Sequence, residues 1–294
     1  MNNLFNIGFF GDDIWAHKAL KLLILDKTIK VSFVCGRLKT NDKKLREIAE
    51  KNKIKFLKIK NVNSSKFIEY IKKNKIDLLC SMSYNQIFKN EIIDSVKKKI
   101  INCHAGKLPF YRGRSILNWV LINGEKDFGI TTHFINNKID KGNIINQKIF
   151  TISKKDNFHS LLKKCYVECP KLLYKSVKEI QANKYKSIPQ SKISKQFSYF
   201  PKRKNGDEII DKNLSALKIQ NFVRGLVKPG PFARLKFKNN LIYIKRISII
   251  NRKNHLQANT FFIKKRKIYF LAGDKKMLRV DSWSSKKKIN IKNL

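Results

Sequence analysis

Acidic side chains are scarce in this chain: 21 Asp and Glu stand against 65 Lys and Arg over 294 residues, a formal net charge of +44. So one-sided a charge attracts any polyanion, and phosphate neutralisation by a nucleic acid is one reading of it. The other is compositional. Lys, Asn and Ile are abundant together, as AT-rich coding produces, and the lysines are spread along the whole chain rather than gathered in one arm. Charge alone therefore names no substrate. Long hydrophobic runs are also missing: none approaches the roughly 18 consecutive apolar residues of a membrane span. The N-terminus has no basic region ahead of its apolar run and leads into Gly11-Asp12-Asp13. It reads as a first strand rather than a signal peptide. The five cysteines (35, 80, 103, 165 and 169) fall in no paired metal spacing. Their odd number, with no leader, favours free thiols in a reducing cytoplasm and gives no metal site.

What is present points to a folded protein of one or two domains, with 42% hydrophobic and 11% aromatic residues. The first half alternates short apolar runs, at residues 5–10, 31–35, 54–57, 77–82 and 100–103, with amphipathic stretches near 15–23, 43–52, 64–71 and 92–96. Asp12 or Asp13 is placed to cap the first helix. Strands separated by helices predict an α/β fold, a parallel Rossmann-like sheet covered on both faces. Further strands are expected at 129–134 and 144–150, a helix at 115–123, and a long helix at 157–182 with Leu161, Leu162, Cys165, Cys169, Leu172 and Val177 on its apolar stripe. A polar connector follows, with Pro189 and Pro201 among many Lys and Ser. Beyond it come a helix at 214–226 and short strands at 234–237, 241–250, 260–263, 267–271 and 277–280, then a basic tail from 286. The expected division is a domain over 1–183, a linker over 184–205, and a small β-rich, OB-like domain over 206–294. No internal repeat is evident.

The chemistry gathers between Ile101 and Gly142. His104, at the end of the strand over 100–103, has an ordinary pKa suited to acid/base work. Asn102 lies two residues earlier on the same strand face and can donate its amide to a developing oxyanion. Asp140 lies 36 residues after His104, in the turn Ile139-Asp140-Lys141-Gly142. Taken singly, a lone His is more often structural and an Asp in a turn is usually a turn former. Taken together, beside strand ends where α/β sheets bind ligands, they are the amide, imidazole and carboxylate that acyl transfer to an amine needs.

With Leu108-Pro109-Phe110-Tyr111-Arg112-Gly113 between them, and Gly124 and Gly129-Ile130-Thr131 following, these residues give a resemblance to the folate-dependent formyltransferases. That family includes the methionyl-tRNA, nucleotide-sugar and glycinamide ribonucleotide formyltransferases. The likeness covers residues 4–180. It continues more weakly through Asn221-Phe222-Val223-Arg224-Gly225-Leu226 and Pro229-Gly230-Pro231, which look like the second-domain entrance of two-domain members. The resemblance implies 10-formyltetrahydrofolate as donor, with no metal. It implies Asn102 and protonated His104 as oxyanion stabilisers, and Asp140 as the group that orients His104 or orders the folate loop. It also implies a pterin site at Ser83, Tyr84, Asn85, Gln86 and Ile87 together with Lys141 and Gly142, although Tyr84 and Ile87 equally fit as core residues.

For the acceptor the resemblance divides. Methionyl-tRNA formyltransferases carry a long basic loop after the second strand, and here only about ten residues separate Arg37 from the helix core near Ile48. The segments His104–Pro109, Asn118-Trp119, Ser198–Arg203 and Gly206–Asp211 look more like enzymes that formylate amino sugars carried on a nucleotide. Lys212 stands where family members often have Trp. Lys107, Arg112 and Gly113 are the candidate acceptor-binding residues, with surface or loop-anchoring roles as the alternatives for Lys107 and Arg112. A nucleotide-linked amino sugar is the favoured acceptor and charged initiator tRNA the second. A hydrolase using water as acceptor and a non-catalytic nucleic-acid-binding protein on the same fold rank lower. A homodimer is compatible with all of these.

Overall fold

In the computed structural model the described residues are 4–237, 240–250, 261–264 and 267–285. The tail from 286, and Thr260 of the expected strand at 260–263, lie outside them. In chain order the first elements are β1 (Phe5–Gly11), α1 (Asp13–Leu25), β2 (Ile29–Gly36), α2 (Lys44–Lys51), β3 (Lys55–Lys58), α3 (Ser65–Lys73), β4 (Leu78–Met82) and α4 (Asn90–Asp94). Next come β5 (Ile100–His104), β6 (Arg112–Gly113), α5 (Ile116–Ile122), β7 (Asp127–Phe134), β8 (Ile144–Thr151), α6 (Phe158–Gln181), α7 (Gln190–Ile193) and β9 (Tyr199–Phe200). The last are α8 (Ala216–Gly225), β10 (Ala233–Phe237), β11 (Asn240–Ile250), β12 (Phe261–Lys264), β13 (Lys267–Leu271) and β14 (Met277–Ser285).

The described residues divide into two compact units. One lies within Met1–Gly113, Phe128–Phe150 and Lys163–Phe200; the other lies within Arg114–Asp127, Thr151–Leu162 and Pro201–Leu294. The first holds a seven-stranded sheet of order β3-β2-β1-β4-β5-β7-β8. Strands β1 to β5 run parallel, as the alternation of strands and helices requires. The expectation of a wholly parallel sheet needs one correction: β7 pairs antiparallel to β5, opposing Asn102 to His133 and His104 to Thr131. On one face, Phe10 of β1, Phe33 and Cys35 of β2, Leu79 of β4 and Ile100 of β5 pack with Phe67 and Ile71 of α3 and Ile92 of α4. From β5, the Cys103 thiol turns to α6 and donates to the Cys169 carbonyl. Strand alternation then sends the neighbouring Asn102 and His104 to the opposite side.

Two local expectations change. Asp12 does occupy the N-cap of α1, but its side chain makes no capping bond. Its carboxylate instead holds Arg37 at 3.0 Å and accepts from Thr40 at 2.7 Å, because both residues follow β2 at the same end of the sheet. Residues 184–200, expected as linker, carry α7 and β9 and belong to the first unit, where β9 pairs with β6. All five cysteines are free and buried.

The second unit contains α5, α8 and an antiparallel sheet of order β10-β11-β14-β13-β12. Ala216, Ile219 and Val223 of α8 pack on Ile242, Ile244, Phe270, Leu278 and Val280, the inward residues of a period-two pattern. Lys212 sets its ammonium 4.7 Å from the Phe261 ring centre, a cation–π contact. No helix among the described residues is long and apolar enough to cross a membrane.

Candidate active site

The C-terminal ends of the parallel strands carry the polar groups of the first unit. Asp12 follows β1, Arg37 follows β2, Ser83 follows β4, and Asn102 and His104 close β5. After His104 the chain turns back, held by bonds that need no charge. Thr131 Oγ1 donates to the Gly106 carbonyl at 2.6 Å, and Gln147 Nε2 donates to the Leu108 carbonyl at 2.8 Å. That return brings the Tyr111 carbonyl to His104, which is only 8% exposed. His104 Nε2 lies 2.7 Å from this carbonyl. A carbonyl only accepts, so Nε2 carries the proton there. Its other nitrogen, Nδ1, faces Asp140 Oδ2 at 3.6 Å.

Asp140 sits between two imidazoles. Its Oδ1 lies 3.5 Å from His133 Nε2, and its Oδ2 accepts from the Gly113 amide at 2.9 Å. Burial pushes its carboxyl up, but the facing His104 and His133 rings and the Gly113 amide outweigh this and hold it well below the usual carboxylate range. His133 is fully enclosed, and its Nδ1 donates to the Phe134 carbonyl at 2.8 Å. Its Nε2 lies between Asp140 Oδ1 and Asn102 Nδ2, 3.3 Å from the latter.

The structure thus brings Asn102, His104 and Asp140 together. Gly113 joins them through its amide. Its φ is +102°, and a Cβ there would strike the Phe200 carbonyl, so glycine answers a backbone need at this position. Arg112 is buried, with Nε and Nη2 donating to Gln190 Oε1 at 3.1 and 2.6 Å and its guanidinium 4.7 Å from the Phe197 ring centre. That is the loop-anchoring arrangement, and it leaves Arg112 turned away from solvent. Lys107 is half-buried, and its backbone lies against Gly129.

The loop after β4 divides its residues. Tyr84 packs on Phe10 with ring centres 5.0 Å apart and meets the Cys35 thiol, so it is a core residue. The Gln86 amide is turned to Val62 and Ile59. Ser83 accepts from Arg37 at 2.9 Å. Asn85 is exposed, and so is Ile87, at 60%. A groove of about 220 Å³ runs from Ile87, Phe88 and Lys89 to Asn137, on the loop that leads to Asp140. Lys141 is exposed, while Gly142 is buried with its carbonyl held by Gln190.

Two residues of this arrangement escaped sequence reasoning. His133 lies directly beyond the Gly129-Ile130-Thr131 segment, and only the antiparallel register with Asn102 reveals it. Gln190 lies in the stretch expected as linker.

A family model described as formyl transferase matches residues 28–177. The bifunctional polymyxin resistance protein ArnA of Wigglesworthia glossinidia brevipalpis is 40% identical over 69% of this chain, which spans only 31% of that protein's length. Methionyl-tRNA formyltransferase of Clostridium tetani is 30% identical over 85% of this chain and 82% of its own. Among solved structures, WlaRD, a sugar 3N-formyl transferase crystallised with dTDP and 5-N-formyl-THF, superposes with a TM-score of 0.72 at 22% identity, covering 98% of this chain and 100% of the other. The N-formyltransferase of Helicobacter canadensis, crystallised with folinic acid and dTDP-3-aminofucose, gives 0.71 at 21% identity, with 95% and 99% covered. At such identities the structural likeness is one of fold. The family match over half of the chain and the relatives that share most of its length lead to one assignment: the chain belongs to the formyl transferase family and is a formyl-group transferase.

Proposed function

We propose that this enzyme moves a formyl group from 10-formyltetrahydrofolate to the amine of a nucleotide-linked amino sugar, with Asn102, His104 and Asp140 as its catalytic residues. The bound donor supplies an activated one-carbon carbonyl, on whose oxygen negative charge develops as the amine attacks. Asn102 directs its side-chain amide to that oxygen, and a cationic His104 adds charge stabilisation. As the bond between the formyl carbon and the folate nitrogen breaks, the cationic His104 gives its proton toward that departing nitrogen and then takes up the proton lost by the attacking amine, directly or through one water. Asp140 holds the ring against the Tyr111 carbonyl and stabilises its charged form, as a carboxylate does for an imidazole in acyl transfer. The groove beside Ile87 and Asn137 suits part of a donor ring: it offers an exposed apolar side chain beside the catalytic carboxylate's own loop.

The observation that carries the acceptor reading is the connection between β2 and α2. It spans only residues 37–43 and is tied down along its length. Arg37 and Thr40 bind Asp12, while Asp42 accepts from the Asp13 amide at 2.9 Å and holds His17 at 2.6 Å. So short and braced a loop gives little reach toward a large polyanion. The second reading, initiator methionyl-tRNA as acceptor, draws on the +44 charge and on the tRNA-formylating relative. The test offers the enzyme 10-formyltetrahydrofolate with dTDP- or UDP-linked 3-amino and 4-amino sugars, and separately with charged initiator tRNA. Formylation of a sugar nucleotide supports the proposal; formylation of tRNA alone overturns it.

A further inference from the structure

The most tightly constrained polar side chain outside the catalytic trio is Gln190, which is 4% exposed at the start of α7. Its amide is used at both ends. Oε1 accepts two hydrogen bonds from Arg112, at 3.1 and 2.6 Å. Nε2 donates two, to the backbone carbonyls of Asp140 and Gly142, each at 2.8 Å. These carbonyls belong to the turn in which Asp140 adopts φ +50°, a left-handed conformation unfavourable for a residue with a Cβ. The segment after α7 completes a strap. Tyr111 and Arg112 donate their amides to the Ser198 side chain and carbonyl, at 2.9 and 3.0 Å. Phe200 stacks on Tyr111 with ring centres 4.7 Å apart. One side of this strap thus fixes the carbonyl that holds His104, and the other fixes the turn that presents Asp140.

We propose that Gln190 is a positioning residue for formyl transfer: its amide locks the Asp140 turn to the Arg112 loop and so sets the carboxylate against His104. This rests on the catalytic reading of Asp140 given above. The alternative is that Gln190 only satisfies the buried Arg112 guanidinium, and the two halves of the amide separate these roles. Gln190→Glu keeps an acceptor for Arg112, which preserves the fold, but loses both donors to the turn. Gln190→Met keeps the volume and loses both halves. The measurements are kcat, KM for 10-formyltetrahydrofolate and the pH profile of kcat, using the acceptor that the wild-type enzyme formylates, with Asp140→Asn alongside. A positioning role predicts that kcat falls about tenfold or more in both Gln190 variants, through misplacement of a reacting group. It also predicts a donor KM within about twofold of wild type and a displaced acid limb of the pH profile. Wild-type kcat and an unmoved profile in Gln190→Glu, with Asp140→Asn inactive, overturn the inference and leave the reading of the site standing. Wild-type kcat in Asp140→Asn overturns that reading, and the inference with it.

Discussion

The β5–β7 seam of the large sheet and the five-stranded sheet of the second unit differ in how many polar groups they bury. Against the five-stranded sheet an apolar cluster runs from Ile210 and Ala216 to Ile244, Phe270 and Val280, with Glu208 and Asn221 among the buried polar residues of this unit. Around the β5–β7 seam, His104, Arg112, Thr131, Thr132, His133 and Gln190 are all buried. A buried polar group destabilises the fold unless it is bonded, and each of these has a named partner. Thr131 bonds Gly106, Thr132 bonds Ser176, His133 bonds Phe134, and Arg112 bonds Gln190. One region is held by non-directional burial and tolerates exchange of like for like. The other is held by atom-to-atom bonds that also fix the residues proposed to react. Stability and rate should therefore separate between them.

The largest effect is expected from the apolar side. Phe270→Ala should lower the unfolding free energy by about 3–5 kcal/mol while leaving kcat per folded molecule unchanged. Denaturant titration with activity on the refolded fraction reads both quantities, and a fall in kcat of the folded fraction would break the comparison. His104→Ala and Asn102→Ala should each cost roughly a hundredfold or more in kcat, with an unfolding midpoint near wild type in Asn102→Ala and a lowered one in His104→Ala, which strips the buried Asp140 carboxylate of one of its two facing imidazoles. Wild-type turnover in either variant would remove the mechanism.

Asp140 joins the two properties through pH. Its folded-state carboxyl lies below the ordinary value of 3.8. Its contribution to stability is therefore present above that ordinary value and is lost as pH falls through it toward the depressed one. Asp140→Asn should thus be less stable than wild type at neutral pH by on the order of 2 kcal/mol, with the gap beginning to narrow below about pH 5 and still closing at pH 3. Denaturation curves across that range check the sign; a gap independent of pH would contradict it. Gly113→Ala, at φ +102° and under the Phe200 carbonyl, should cost about 1–3 kcal/mol and loosen the amide that holds Asp140. A combined fall in kcat and in unfolding midpoint is the expected reading.

The smallest effect concerns the thiols. All five are buried, and burial pushes the Cys35 thiol up to about 11. The native protein should resist alkylation near neutral pH and release its thiols only on denaturation, because the thiolate is the reactive form. Rapid modification of Cys35 in the native state would count against so closed a core.

Much of the fold was legible because its signals are local. Val31–Cys35, Asp77–Met82 and Ile100–Cys103 are short apolar runs bounded by polar helices, and they become β2, β4 and β5 within a residue or two at either end. Their depth between two helical layers removes the polar alternation of an exposed sheet. The direction of β7 was not legible, since an apolar run carries no sign of which way it pairs. Residues 184–200 misled for a different reason: a polar stretch with Pro reads as a connector, whereas Gln190 and Ser198 use that polarity to bind the Asp140 turn and the Tyr111–Arg112 loop.

By itself the sequence singled out the three candidate reacting groups. Asn102 and His104 share a strand face through a spacing of two, and Asp140 lies in a turn the chain can place beside them; these are properties of residue type and local periodicity. Only the tertiary structure decided what surrounds them. His133 faces Asn102 through an antiparallel register, and Gln190 reaches Asp140 across 50 residues of chain. Such contacts arise from chain closure and strand direction, which no short stretch of sequence records.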